Sequence, residues 1–127
     1  MVIHTGIDIV EVARIKNSIS NSGTHFIERV YTRSEAEYCV SAVNSFERFA
    51  ARFAAKEAFV KAIGKGFSEG IMFNMIEVAK HETGEPYLVL HDKALEAAEK
   101  LRIESMDVSL SHIKETAVAT VVILSEK

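Results

Sequence analysis

With 127 residues, 48% of them apolar, and a formal charge of −3, the chain has the size of one domain over residues 1–127 that buries roughly two thirds of its unfolded surface. The acidic balance argues against general nucleic-acid binding, though it leaves room for a local basic surface. A single cysteine, Cys39, excludes an internal disulfide or a multi-cysteine zinc site and suits the reducing cytoplasm, while the longest apolar stretch, near residues 121–124, is far too short to span a bilayer.

Residues 2–9 are rich in β-branched side chains and predict a strand. His4, Asp8 and Glu11 interrupt it, which is unlike a secretory leader. Val12, Ile15 and Ile19 then fall on one helical face, and this helix should end by Gly23. Thr32 and Glu35 have the spacing of a capping box, predicting a short helix that carries Ala36, Tyr38 and a half-buried Cys39. Asn44 and Glu47 repeat that spacing. Residues 46–63, Ala-rich and free of Gly and Pro, give the strongest helical pattern, with Phe46, Phe49, Phe53, Val60 and Ile63 as core candidates and Gly64 as its stop.

In the second half the period changes. Residues 73–79 and 86–91 are strand-like about a turn at His81-Glu82-Thr83-Gly84, with a positive φ expected at Gly84. Pro86 sits at a strand start, where it is tolerated. Asp92 is placed to cap a helix reaching about residue 101, and residues 108–111 and 117–124 form a last hairpin. The class is α+β, an antiparallel sheet packed with one long and several short helices. In the last strand Ala117, Ala119, Val121 and Ile123 alternate with Val118, Thr120 and Val122, so both faces should be covered, one of them by a neighbouring subunit.

The densest charge in an apolar setting lies on the long helix. Arg52 and Lys56 are four apart, as are Glu57 and Lys61, so each pair shares a face. As plain surface pairs, Glu57 with Lys61 would contribute only ~0.3–0.5 kcal/mol and the two cations would be solvated. Asp8 makes a stronger demand, because a carboxylate in the apolar strand Gly6-Ile7-Asp8-Ile9-Val10 needs a partner or a metal. Beside Glu57 it would be stable only with a cation between them or a proton on one. Residues 64–70 hold three of the six glycines and would let backbone amides approach a phosphate, although a helix cap explains Gly64 unaided. Ser109, Ser111 and His112 add polar groups to the last hairpin, where His112 is either a contact or merely exposed. Two carboxylates suit Mg²⁺, which completes its shell with water and phosphate oxygens. Zinc is disfavoured, since neither His-x₃-His nor Cys-x₂-Cys occurs.

At these residues the sequence resembles the bacterial holo-acyl-carrier-protein synthase family of 4'-phosphopantetheinyl transferases. The resemblance rests on Gly6-Ile7-Asp8-Ile9-Val10-Glu11, on Arg52-Phe53-Ala54-Ala55-Lys56-Glu57-Ala58 and on Lys61-Ala62-Ile63-Gly64-Lys65-Gly66. It continues through Glu77-Val78, Gly84-Glu85-Pro86-Tyr87-Leu88 and Val108-Ser109-Leu110-Ser111-His112 to Ala117-Val118-Ala119. It implies a homotrimer that binds coenzyme A between subunits and, with Mg²⁺, moves phosphopantetheine onto a serine of an acidic acyl carrier protein. The products are adenosine 3',5'-bisphosphate and the holo carrier used in fatty acid biosynthesis. By the same resemblance Asp8 and Glu57 are metal ligands, Lys61 and Glu57 catalytic, and Arg52, Lys61, Gly64 and His112 coenzyme A contacts. Arg14 and Lys16 dock the carrier. The serine proton goes to Glu57 or to a water on the metal. The chain departs from the family pattern at Ala13, where a second basic residue is common, and in residues 40–45, which lack the basic residues some relatives place near the ribose phosphate of coenzyme A.

Overall fold

The computed structural model describes residues 1–64 and 70–127. Strand β1 (Val2–Glu11) leads into helix α1 (Val12–Ser22), whose buried Val12 and Ile15 occupy the predicted face. Gly23, at φ 56, ends α1 and turns the chain into a helix the sequence pattern had not suggested, α2 (Thr24–Val30). Only seven residues long, it has too few turns for a periodic signal. Helix α3 (Arg33–Ser41) begins with the expected capping box: Glu35 N–H donates to Thr32 Oγ1 over 3.2 Å and Thr32 N–H donates to Glu35 Oε1 over 2.9 Å. Cys39, expected half-buried, is fully buried, and burial pushes its thiol up to about 11. It is a core residue, not a reactive one.

Helix α4 (Ser45–Ile63) is the long helix, closed by Gly64 in the left-handed conformation at φ 71. The second capping box does not form; Asn44 Oδ1 instead accepts from Arg48 Nε at 3.1 Å. Phe49, Phe53, Val60 and Ile63 are in the core as expected, and Phe46 packs at its edge. Past residue 70 a single 3₁₀ turn (Phe73–Met75) replaces the start of the predicted strand, leaving β2 (Ile76–Lys80) and β3 (Pro86–Leu90) about a turn with Gly84 at φ 98. Helix α5 (Asp92–Leu101) starts with Asp92 in its first turn at φ 49, so the residue expected as cap is not one; His91 holds the cap position. The closing hairpin is longer than its apolar core suggested, with β4 (Ile103–His112) and β5 (Thr116–Ser125).

The strands form two antiparallel sheets where one was expected: a three-stranded sheet ordered β1-β5-β4 and the separate hairpin β2-β3. Val10, Ala117, Ala119, Val121 and Ile123 face α4 and are buried. The opposite face carries Ile3, Ile7 and Ile9, with Val122 across from Thr5 and Thr120 across from Ile7. That face is open within the subunit, Ile7 being 59% and Ile9 69% exposed.

Between α4 and the sheet the backbones nearly touch. A Cβ built on Gly6 would lie 1.9 Å from the carbonyl oxygen of Ala58 and 2.9 Å from the amide nitrogen of Ala62. Gly6, Ala58 and Ala62 thus set the helix directly on β1, which fixes how far Asp8, two residues after Gly6, lies from Glu57 and Lys61, each just before an alanine.

Candidate active site

Asp8 comes from the middle of β1, on the face turned toward α4, and pairs in register with Ala119. Glu57 and Lys61 come from α4, four residues apart and therefore on one side of the helix. The Lys61 ammonium donates to Asp8 Oδ1 at 2.9 Å and to the Ile7 carbonyl at 3.0 Å. The pair expected along the helix, Glu57 with Lys61, is thus replaced by one across the helix–strand seam.

Glu57 feels both neighbours. Burial raises its pKa above the ordinary carboxylate range and the Asp8 charge raises it further, while Lys61 and Arg14 pull it down. Two carboxylates near enough to interact, with ionisation of one disfavoured, are an arrangement that a cation between them would relieve. Among the described residues no group of three or more His, Cys, Asp or Glu side chains could hold a metal. Two carboxylates beside open solvent fit Mg²⁺, which needs only one or two and takes its other ligands from water and phosphate.

The remaining expected residues are dispersed. Gly64 lies one turn past Lys61, its N–H donating to the Lys61 carbonyl at 3.2 Å. The glycine-rich loop expected beyond it, residues 65–69, lies outside the described residues. Arg14 and Lys16 are exposed on α1, Lys16 5.5 Å from the Phe46 ring centre, and Arg14 is near enough to act on Glu57. His112, half-buried, ends β4, two strands from β1 and roughly 10 Å away across the sheet.

Arg52 is not part of this cluster. Nine residues before Lys61, it lies roughly 180° away around α4. It is buried, its guanidinium 4.6 Å from the Tyr38 ring centre and its Nε without a hydrogen-bond partner. Lys80 reaches the same ring from β2, donating to the Tyr38 hydroxyl at 3.0 Å. With Ser34, Tyr87 and Val89 they line a cavity of about 400 Å³. Arg52, Lys80 and Arg48 hold the Tyr38 phenol below its usual range, the hydrogen bond from Lys80 contributing most. The sequence pattern placed Tyr38 only on its short helix and gave no sign of Lys80; nothing in periodicity links a residue of β2 to one of α3.

Lys56, expected on a solvated or phosphate-facing side with Arg52, is completely buried. It donates to Glu35 Oε1 at 2.7 Å, to the Phe73 carbonyl at 3.2 Å and to the Ile76 carbonyl. Burial lowers its pKa and the Glu35 carboxylate opposes that shift. A fully desolvated ion pair with its valences filled belongs to the scaffold.

A helix seated on a sheet by glycine, with one strand carboxylate against a helix carboxylate and lysine, defines a class. The 4'-phosphopantetheinyl transferase superfamily model matches residues 4–122, and the chain belongs to that family. Within it the resemblance is to the holo-[acyl-carrier-protein] synthases: those of Koribacter versatilis and Solibacter usitatus are 47% and 45% identical over 123 residues, covering 97% of this chain and 98% of each relative. Solved structures agree. The Helicobacter pylori synthase in complex with coenzyme A superposes with a TM-score of 0.81 at 33% identity, covering 94% of this chain and 99% of that one. The Neisseria meningitidis synthase gives 0.87 at 32% identity, covering 96% and 98%.

Proposed function

We propose that this chain is a cytoplasmic holo-[acyl-carrier-protein] synthase, one domain over residues 1–127, that transfers 4'-phosphopantetheine from coenzyme A to a serine of apo acyl carrier protein. The observation that carries the reading is the seam where Asp8 of β1 meets Glu57 and Lys61 of α4. Crystal structures of similar synthases contain coenzyme A, or 3',5'-ADP in the Bacillus anthracis protein. No described helix is long and apolar enough to cross a membrane.

Asp8 and Glu57 would hold Mg²⁺, which when bound neutralises the pyrophosphate and favours its cleavage. The rest of the task is alignment of serine oxygen with phosphorus and stabilisation of charge on oxygen. Lys61 is a half-exposed cation whose present partner is Asp8. Its ammonium, one turn along α4 from Glu57, would neutralise or protonate the leaving oxygen of the departing adenosine 3',5'-bisphosphate. Glu57, beside Lys61 on the same side of α4, would be the chain's own candidate to accept the serine proton. Incubation with coenzyme A, Mg²⁺ and apo carrier should add the mass of phosphopantetheine to the carrier. Release of free phosphopantetheine with an unmodified carrier would instead make the chain a hydrolase.

Arg52 and its cavity lie on the other side of α4 from Lys61. A homotrimer that binds coenzyme A between subunits would bring the Arg52 cavity and His112 of one subunit toward the Asp8–Glu57–Lys61 seam of the next. The open face of Ile3, Ile7, Ile9 and Val122 supplies apolar surface for such assembly. Sedimentation at micromolar concentration should give three times the subunit mass, and Ile7→Lys should shift it toward monomer with loss of transfer; an active monomer would overturn the trimer.

Carrier docking falls to α1. Val12 and Ile15 are buried, leaving Arg14 and Lys16 exposed, Arg14 near Glu57 and Lys16 over Phe46. Exposed charge pairs contribute only ~0–1 kcal/mol each and act mainly on encounter and orientation. Arg14→Glu should therefore raise the carrier KM several-fold, flatten its salt dependence and change the coenzyme A KM by less than about twofold. An equal rise in both would place Arg14 in the coenzyme A cleft.

A further inference from the structure

Among the charged residues of the α4 signature, Lys56 alone is wholly sealed from solvent, and its ammonium is spent on protein groups. One of these, Glu35, comes from α3; the others, the carbonyls of Phe73 and Ile76, come from the chain entering β2. Glu35 is equally committed, Oε1 to Lys56 and the Thr32 N–H, Oε2 to the Val78 N–H at 2.9 Å. The pair thus ties α3, α4 and β2 at one point, on the side of α4 away from β1.

On its β1 side, α4 rests on Gly6 through Ala58 and Ala62. Those contacts fix how closely the helix approaches, and on that side its rotation is opposed by hydrogen bonds from the half-exposed Lys61 to Asp8 and the Ile7 carbonyl. The Lys56 ion pair acts on the other flank, where directional hydrogen bonds also resist rotation. Glu57 is the next residue, about 100° further around. A side chain whose end is ~6 Å from the axis moves roughly 1 Å for every 10° of rotation, and displacements of about 1 Å in a catalytic array can cost on the order of 10²-fold in rate.

We propose that Lys56 is a positioning residue: its buried ion pair with Glu35 sets the rotation of α4 and so holds the Glu57 carboxylate at the distance from Asp8 that a divalent cation requires. This rests on the metal role given to Asp8 and Glu57 above.

Two variants test it, read by melting temperature and by Mn²⁺ binding followed by electron paramagnetic resonance with coenzyme A present, alongside transfer at varied Mg²⁺. Glu35→Asp keeps both charges but shortens one arm by a methylene. Glu35→Gln with Lys56→Met removes both charges at nearly constant volume, a replacement that buried ion pairs often tolerate without loss of stability. The expected result is that Glu35→Asp stays folded yet binds Mn²⁺ and is activated by Mg²⁺ at least five-fold more weakly. The double variant should melt within a few degrees of the wild type and show a loss at least as large, with the coenzyme A KM at high Mg²⁺ nearly unchanged. Wild-type metal binding in Glu35→Asp would overturn the proposal, whether or not the double variant folds, as would a double variant restored in both stability and metal affinity. If the wild-type protein itself neither binds Mn²⁺ nor transfers, the metal reading has failed and not the positioning role.

Discussion

Asp8→Asn and Glu57→Gln should each lower transfer at least ~10²-fold at saturating Mg²⁺, since several kcal/mol of charge stabilisation at the pyrophosphate would go with the ligand and each ~1.4 kcal/mol is a factor of ten. Their stabilities should diverge. Asp8→Asn strips Lys61 of its partner at a partly exposed site, a small loss. Glu57 is different, because burial and the Asp8 charge raise its pKa. A carboxyl whose folded pKa exceeds its unfolded one stabilises the fold while protonated and loses that contribution as pH rises through the folded value. Without metal, ionising Glu57 is therefore a burden on the fold, and Glu57→Gln should melt no lower than the wild type. Mg²⁺ added in the presence of coenzyme A should raise the wild-type melting temperature further and leave both variants unmoved. Near-wild-type turnover in either variant would end the metal assignment. A Glu57→Gln protein that melts well below the wild type would mean the carboxylate serves the fold instead.

Sequence pattern reached furthest where structure is local. The capping box at Thr32, the long helix ending at Gly64 and the turn at Gly84 all follow from chemistry within a few residues. Asp8 stood out because an acid in an apolar strand must be answered, and the answer, Lys61, lies 53 residues on. Spacing along α4 suggested the wrong partner for that lysine, because (i, i+4) geometry says which groups share a face but not which element faces them. Arg52 and Lys56 show the same limit. Both are cations in the signature, yet one lies over Tyr38 beside an open cavity and the other is locked to Glu35 beneath the surface. Only the folding of α3 and β2 against α4 separates them. The split of the strands into two sheets was equally unreadable, since alternation marks a strand without naming its neighbour.

The seam itself offers the most severe test of how the fold carries the site, and Gly6→Ala should be the most damaging single-methyl change in the chain. Its added Cβ would sit 1.9 Å from the Ala58 carbonyl oxygen and 2.9 Å from the carbonyl carbon and the Ala62 nitrogen. All three are backbone atoms of a helix, so no rotamer change relieves the clash. Either β1 bends away or α4 lifts as a unit from a strand it contacts along much of its length. Overpacking of this kind costs about 1–3 kcal/mol and occasionally more, which for a chain of this size lowers the melting temperature by roughly 4–11 °C. Activity should fall further than stability, because Gly6 precedes Asp8 by two residues and Ala58 follows Glu57 by one. A methyl that parts the backbones parts the two carboxylates as well, and Lys61 loses its reach to the Ile7 carbonyl. Thermal melts and Mn²⁺ binding on Gly6→Ala, alone and with Ala58→Gly, separate backbone from side-chain crowding. Trimming the side chain at 58 should rescue neither property, since the obstructing atom is the carbonyl oxygen. Recovery of metal binding by Ala58→Gly, or a Gly6→Ala protein indistinguishable from wild type, would show that helix and strand are not held at the separation on which the site depends.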